Sequence, residues 1–141
     1  MRVYIAAPYV RKADAKDARL QLAGAGIECC SRWLDFEDGG TIETTDPAIL
    51  RQEGIADVRD MMGADALVLL NLAPSEGKSV EMGMALALAY YDDAEAGLPP
   101  FPILVVGKPS NIFHYHPYVT MCDNLEHAIR ILTDYAEDNQ L

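Results

Sequence analysis

The chain is short of the features that usually announce a function. It has only three cysteines among 141 residues, Cys29, Cys30 and Cys122. An odd count with two of them adjacent makes a poor disulfide framework, and no Cys/His spacing resembles a zinc site. A reducing, cytoplasmic compartment is therefore the expected home. No GxxxxGK[ST] loop is present, and no GxGxxG follows the first apolar run, so neither a P-loop nor a dinucleotide fold of that type is expected. No segment is apolar for long enough to span a bilayer, and the opening run Val3–Ala7 is too short for a secretory leader. Basic residues are scarce as well: 11 Lys and Arg stand against 22 Asp and Glu, for a formal net charge of −11. A field of that sign repels phosphate polymers, which argues against nucleic acid as a partner. A small anion held locally by backbone N–H groups at a helix start remains compatible with it. Neither a cofactor nor a metal is called for.

What is present is the composition of a globular core, with 50% hydrophobic and 23% charged residues. The length suits one domain spanning 1–141, large enough to bury about 68% of its unfolded surface without a covalent staple. Along the chain, strand and helix signals alternate. Val3–Ala7 reads as a buried strand ending at Pro8, and residues 11–25 as an amphipathic helix stopped by Gly24 and Gly26. Ile27–Trp33 reads as a second strand, followed by the acidic, Gly-containing stretch 35–41, expected to be a mobile loop. Asp46 and Pro47 mark a helix entry; this helix is expected to turn Leu50, Ile55, Val58, Met61 and Met62 inward and to end near Gly63. Asp65–Leu72 is apolar on both faces, as a central parallel strand should be. Pro74–Lys78 reads as a turn, Ser79–Tyr91 as a helix buried all round, 92–102 as a surface insertion, Ile103–Val106 as a strand and Leu125–Tyr135 as the last helix. The alternation implies a mostly parallel sheet between two helical layers, with ligands at the carboxyl ends of the strands.

The chemistry concentrates in Ser75–Ala89. Glu81 is the only carboxylate between Ser79 and Tyr91 and heads an apolar stripe with Met84, Ala85 and Leu88. A buried carboxylate is costly unless something compensates for it; with a helix starting at Ser79, the helix terminus would supply up to about 2 kcal/mol. An anionic Glu aimed at a pocket is what a carboxylate nucleophile requires. A plain helix-start acid fits the same position. Asp57 and Asp60 lie on the preceding helix, where a solvated face is the simpler reading, and Tyr4 is a core tyrosine whose hydroxyl needs a partner. Gly83 inside the helix points to a close approach by the neighbouring strand or by substrate. Ser75 and Gly77 precede the helix, where free N–H groups could take a phosphate or a sugar hydroxyl. His114 and His116 read as loop residues rather than metal ligands.

The blocks Val3-Tyr4-Ile5-Ala6-Ala7-Pro8, Asp57 followed by Ala64–Val68, Glu81-Met82-Gly83-Met84-Ala85 and Gly107–Phe113, in this order and spacing, resemble the nucleoside 2-deoxyribosyltransferase superfamily. The resemblance implies a flavodoxin-like (Rossmann-type) three-layer α/β sandwich. It implies that Glu81 is the nucleophile that forms a covalent glycosyl-enzyme at the sugar C1′. Asp57 would then protonate the leaving base, and Tyr4 would support the nucleophile, the logic of retaining glycosidic cleavage. Substrate contacts are expected at Ala6, Ser75 and Gly77, and at Asn111 and His114 reaching across from a neighbouring subunit; Trp33 could stack on the base or equally belong to the core, and Arg32 could face a phosphate. The substrate would be a small nucleotide or nucleoside and the assembly a homodimer or larger. Transferases of this group that use free nucleosides usually have an acid six residues before the nucleophile; Ser75 stands there instead, as in the 2′-deoxynucleoside 5′-phosphate N-hydrolases. A nucleotide hydrolase is thus favoured, with a base-exchanging transferase and a non-catalytic nucleotide-binding module as the alternatives.

Overall fold

The computed structural model describes residues 1–37, 43–93 and 100–141. Its frame is a run of short strands that, apart from the exposed Arg2, are buried and apolar on both faces. β1 (Arg2–Ala6), β3 (Ala66–Leu70) and β4 (Ile103–Val106) carry almost nothing but aliphatic side chains with Tyr4 among them. Such strands cannot face water on either side, so helices must cover both. β2 (Glu28–Cys29) and β5 (Val119–Cys122) complete a five-stranded sheet of order β2-β1-β3-β4-β5. Every pairing is parallel, with Tyr4 opposite Leu67, Ala6 opposite Leu69 and Leu67 opposite Ile103. This is the doubly wound order whose direction reverses between β1 and β3, and there the carboxyl ends of the strands leave a crevice.

The pleat sends alternate residues to opposite layers. Val3, Ile5, Val68, Leu70, Leu104 and Val106 pack with Ala15, Ala18 and Leu22 of α1 (Lys12–Gly24) and with Ala128 and Leu132 of α4 (Leu125–Asn139). Tyr4, Ala6, Leu67, Leu69, Ile103 and Val105 face the other way, against Met61 of α2 (Pro47–Met62) and Met82, Ala85 and Ala89 of α3 (Glu76–Tyr91). The three layers expected from the alternating pattern are therefore present. Local chemistry sets the ends. Gly26 takes φ +78° just beyond α1, a left-handed conformation that suits glycine. Asp46 caps α2 by accepting a hydrogen bond from Ala48 N, with Pro47 in the first helical position.

Several expectations need correction. The second strand keeps only two residues, because the chain turns into a 3-10 segment at Arg32–Leu34. β5 has no counterpart in the sequence reading. The supposed turn before α3 is its cap and first turn, since Ser75 is the N-cap. α3 is not buried all round: Val80, Tyr90 and Tyr91 are exposed, and no neighbour approaches the Cβ position of Gly83. On α2, Met61 is buried as expected, but Ile55, Val58 and Met62 point outward and Asp60 is buried in their stead. Residues 38–42 of the acidic loop and 94–99 of the insertion lie outside the described residues.

Candidate active site

Tyr4 stands in the middle of β1 with its hydroxyl directed at the layer of α2 and α3. It donates a hydrogen bond of 2.7 Å to Glu81 Oε1. Glu81 lies in the second turn of α3, because the helix starts at Glu76. The helix terminus acts mainly within the first turn, so it is not what compensates this carboxylate. Tyr4 from the strand and Lys78, one turn earlier, do so instead. They do it incompletely: burial outweighs both and, with a contribution from the charge of Asp57, lifts the Glu81 carboxyl from its ordinary 4.5 to about 7. Tyr4 titrates well above its usual range, first through burial and then through the charges of Glu81 and Asp57, so it remains a donor at any physiological pH.

Asp57, on the inner flank of α2, is the second acid. Burial, helped by the charges of Glu53 and Asp60 and opposed by Arg32, raises it to about 6. Its Oδ1 is buried without a hydrogen-bond partner among the described residues. A buried oxygen of this kind costs about 1–3 kcal/mol if it stays unpaired, and such groups mark functional sites more often than chance. Two carboxyls pushed upward, one held by a phenol and one unpartnered, are the components of paired acid–base and nucleophilic chemistry.

The remaining expected residues fall into two groups. Ser75, Asn111 and His114 border a cavity of about 780 Å³ that also has Asn71, Lys78, Met82 and Ser110 in its wall. This cavity runs along α3 from Glu76 to Leu86 without Glu81 in its lining. Asn111 caps the 3-10 turn Ile112–Tyr115 by accepting from Phe113 N and His114 N. His114 is buried; its Nδ1 accepts from Ser110 N, and burial together with the charge of Lys78 keeps its pKa low. Gly77 is exposed in the first turn of α3. Elsewhere, Ala6 is fully buried at the end of β1. The Trp33 indole N–H donates to Ile5 O at 2.8 Å, and its ring packs against both core layers. The Arg32 guanidinium is engaged by buried Asp60, with Nη2 to Oδ1 at 2.7 Å and Nε to Oδ1 at 2.8 Å.

Sequence reasoning missed Lys78 and Asn71. Lys78 Nζ donates to Asn71 Oδ1 at 2.7 Å, and Asn71 Nδ2 donates to Lys108 O and to Ser110 Oγ. The chain makes this junction possible at Gly107, whose φ of +116° turns the strand into the loop while its Cβ position lies 3.2 Å from Asn71 O. The one available signal was a lysine within a first helical turn followed by an apolar run, where a solvated position is the ordinary expectation. No group of three or more His, Cys, Asp or Glu that could hold a metal occurs among the described residues. No helix there is long and apolar enough to cross a membrane.

The sheet order and the two covering layers define a doubly wound α/β protein of flavodoxin type. No protein-family model matches the sequence, and no curated protein matches it. Solved structures do. A 2-deoxyribosyltransferase from the psychrotolerant bacterium Bacillus psychrosaccharolyticus superposes with a TM-score of 0.62 at 13% identity, over 92% of this chain and 90% of that one. The CMP N-glycosidase BcmB of Clostridium botulinum gives a TM-score of 0.52 at 17% identity, over 96% of this chain and all (100%) of that one. At these identities the likeness establishes the shared fold.

Proposed function

We propose that the chain is an N-glycosidase that cleaves a (deoxy)nucleoside 5′-monophosphate through a covalent glycosyl-enzyme on Glu81, releasing the free base and a sugar phosphate. The observation that carries the reading is the Tyr4–Glu81 hydrogen bond beside the buried, unpartnered oxygen of Asp57. In the first step a Glu81 oxygen bonds to C1′ while the C1′–N bond breaks. The electron pair leaves with the base, and the proton of the Asp57 carboxyl goes to that nitrogen. In the second step Asp57, now a carboxylate, takes a proton from water as the water oxygen bonds to C1′ and Glu81 departs. Tyr4 holds one Glu81 oxygen throughout and leaves the other to the sugar. Neither step calls on a metal or a cofactor.

The named activities of the two fold neighbours support this reading, since both proteins act on bonds between a base and a sugar. Base exchange in place of hydrolysis is the second reading, favoured by the higher TM-score of the transferase. Ser75 at the cap of α3, where a carboxylate would repel a phosphate, favours the nucleotide. A homodimer belongs to the proposal too: Ile55, Val58 and Met62 of α2 and Val80 and Tyr91 of α3 offer exposed apolar side chains on the same helical layer. The cytosol is its compartment. The test is chromatographic: common nucleosides and monophosphates are screened for released base, with and without a second base as acceptor. The expected result is net release from a monophosphate, a glycosylated Glu81 peptide by mass spectrometry, and a loss of at least about a thousandfold in Glu81→Ala with ligand binding kept. Unchanged turnover in that variant ends the nucleophile assignment.

A further inference from the structure

The chain leaves β2 after Cys29, and side chains take over the pairing with β1 that the strand gives up. The Ser31 hydroxyl accepts from Ile5 N at 2.6 Å and donates to Ile5 O at 3.2 Å, and the Trp33 indole N–H donates to the same oxygen. Ile5 is the neighbour of Tyr4, so this segment is fastened to β1 beside the phenol that holds Glu81. Between Ser31 and Trp33, Arg32 reaches the other way, to α2. Its backbone N–H donates to Asp60 Oδ2 at 3.0 Å, its Nε donates to Oδ1 at 2.8 Å, and its Nη2 stands 2.7 Å from Oδ1. The Cys30 thiol donates to the backbone oxygen of the same aspartate. Asp60 is 6% exposed, whereas the Arg32 side chain is 62% exposed. A pair of this kind adds little net stability, because desolvating the acid offsets much of the attraction. What a guanidinium fork fixes is geometry.

Asp60 lies one helical turn beyond Asp57, and Glu53 one turn before it, so the three carboxylates share one face of α2. Like charges at that spacing repel one another. Arg32 answers all three: its pKa is raised first by the hydrogen bond and charge of Asp60, then by the charges of Glu53 and Asp57. We propose that Arg32 is a positioning residue: its fork on Asp60 joins α2 to the segment anchored on β1, and so decides where Asp57 stands relative to Tyr4 and Glu81 and which charges it meets. The inference rests on the reading of Asp57 as the acid of the glycosidic reaction. Asp57 is faced by Tyr4 from β1, by Glu81 from α3, by Glu53 and Asp60 from its own helix, and by Arg32 from the segment after β2. Burial holds its proton on, Glu53 and Asp60 add to that, and Arg32 opposes them. Removing the guanidinium alone leaves Asp60 buried and unpaired one turn away, which tightens the hold of Asp57 on its proton. Removing both charges takes away the attraction and the repulsion together.

The experiment has two arms, each on the intact chain. In the first, the carboxyl carbons of isotopically labelled aspartates are followed by NMR through pH titrations. Wild type, Arg32→Gln, Asp60→Asn and the Arg32→Gln/Asp60→Asn double variant are compared, with thermal melts to verify folding; Asp57 is assigned by its absence in Asp57→Asn. Its midpoint should rise by at least about half a pH unit in Arg32→Gln, and fall by at least about half a pH unit in Asp60→Asn. In the double variant it should return to within about 0.3 pH unit of wild type. Asp60→Asn leaves no buried charge behind, so it keeps the question decidable if Arg32→Gln does not fold. In the second arm kcat/KM for base release is profiled against pH. The acidic limb, which follows the lower-titrating Asp57, should move with the NMR midpoint in each variant. A pair that only supports the fold would lower the melting temperature and move neither. An Asp57 midpoint unmoved in the single variants, or a displacement that persists in the double variant, overturns the proposal. If no base is released from any substrate, the glycosidase reading falls, and the carboxyl titration decides by itself whether Arg32 and Asp60 govern Asp57.

Discussion

Replacing Glu81 by glutamine should stabilise the protein, and the gain should depend on pH in a defined way. The carboxyl is raised from 4.5 to about 7 by its surroundings, chiefly by burial. Folding therefore favours its protonated form. Below about pH 4.5 both folded and unfolded chains have the neutral acid and the group costs nothing. As the pH rises towards 7 the unfolded chain ionises freely while the folded one resists, and the stability present at low pH is progressively lost. A difference of this size corresponds to about 2–4 kcal/mol at full ionisation. In Glu81→Gln the amide keeps an oxygen that can accept from Tyr4 and brings no charge beside Asp57. At pH 8 the variant should thus exceed wild type by about 2–4 kcal/mol, while at pH 4.5 the two should coincide within about 0.5 kcal/mol. Urea titrations of both proteins at the two pH values measure this directly, and titrating groups remote from Glu81 cancel in the difference. An equal gain at both pH values, or none at pH 8, would show that Glu81 is not held uncomfortably in a poorly solvated place. Retaining a residue that lowers stability at the working pH is what a functional site entails.

Tyr4→Phe removes the donor that lowers the Glu81 pKa. A hydrogen bond to a charged group contributes about 1.5–3 kcal/mol, so the Glu81 pKa should rise by about one to two pH units. Since Glu81 titrates above Asp57, the limb of kcat/KM for base release that follows it is the basic one. That limb should move up by the same amount while the peak rate falls. A limb that stays in place would remove Tyr4 from the nucleophile's support. Gly107→Ala would force a Cβ at φ +116° to within 3.2 Å of Asn71 O. We expect about 1–3 kcal/mol of destabilisation in thermal melts. Wild-type stability in that variant would refute the strained junction.

The fold was legible wherever burial leaves no choice. β1, β3 and β4 are apolar on both faces, and only a covered parallel sheet accommodates such strands. β5, four residues with Thr120 exposed, gave no comparable run. On α2 the hydrophobic pattern was real but pointed to the wrong side. Ile55, Val58 and Met62 form an exposed face, whereas the inner flank holds Asp60, which Arg32 neutralises, and Asp57, whose buried oxygen has no partner among the described residues. Periodicity counts apolar residues and cannot say which of two surfaces is the protein's own core. For the site, Glu81 was conspicuous as a lone acid in a greasy helix, and the resemblance supplied Tyr4 and Asp57. Lys78 stayed hidden because a lysine near a helix start is ordinarily wet, and only the junction with Asn71 shows that this one is not.

The brevity of β2 bears on how copies of the chain can meet. A margin of two residues, with Glu28 in it and the Arg2 guanidinium alongside at 3.4 Å, offers almost no free ladder to an incoming strand and sets charge in its path. Self-assembly by prolonging the sheet is discouraged on that side. On that side, contact between copies is left to the helical flanks, where side-chain shape rather than backbone pairing decides the fit.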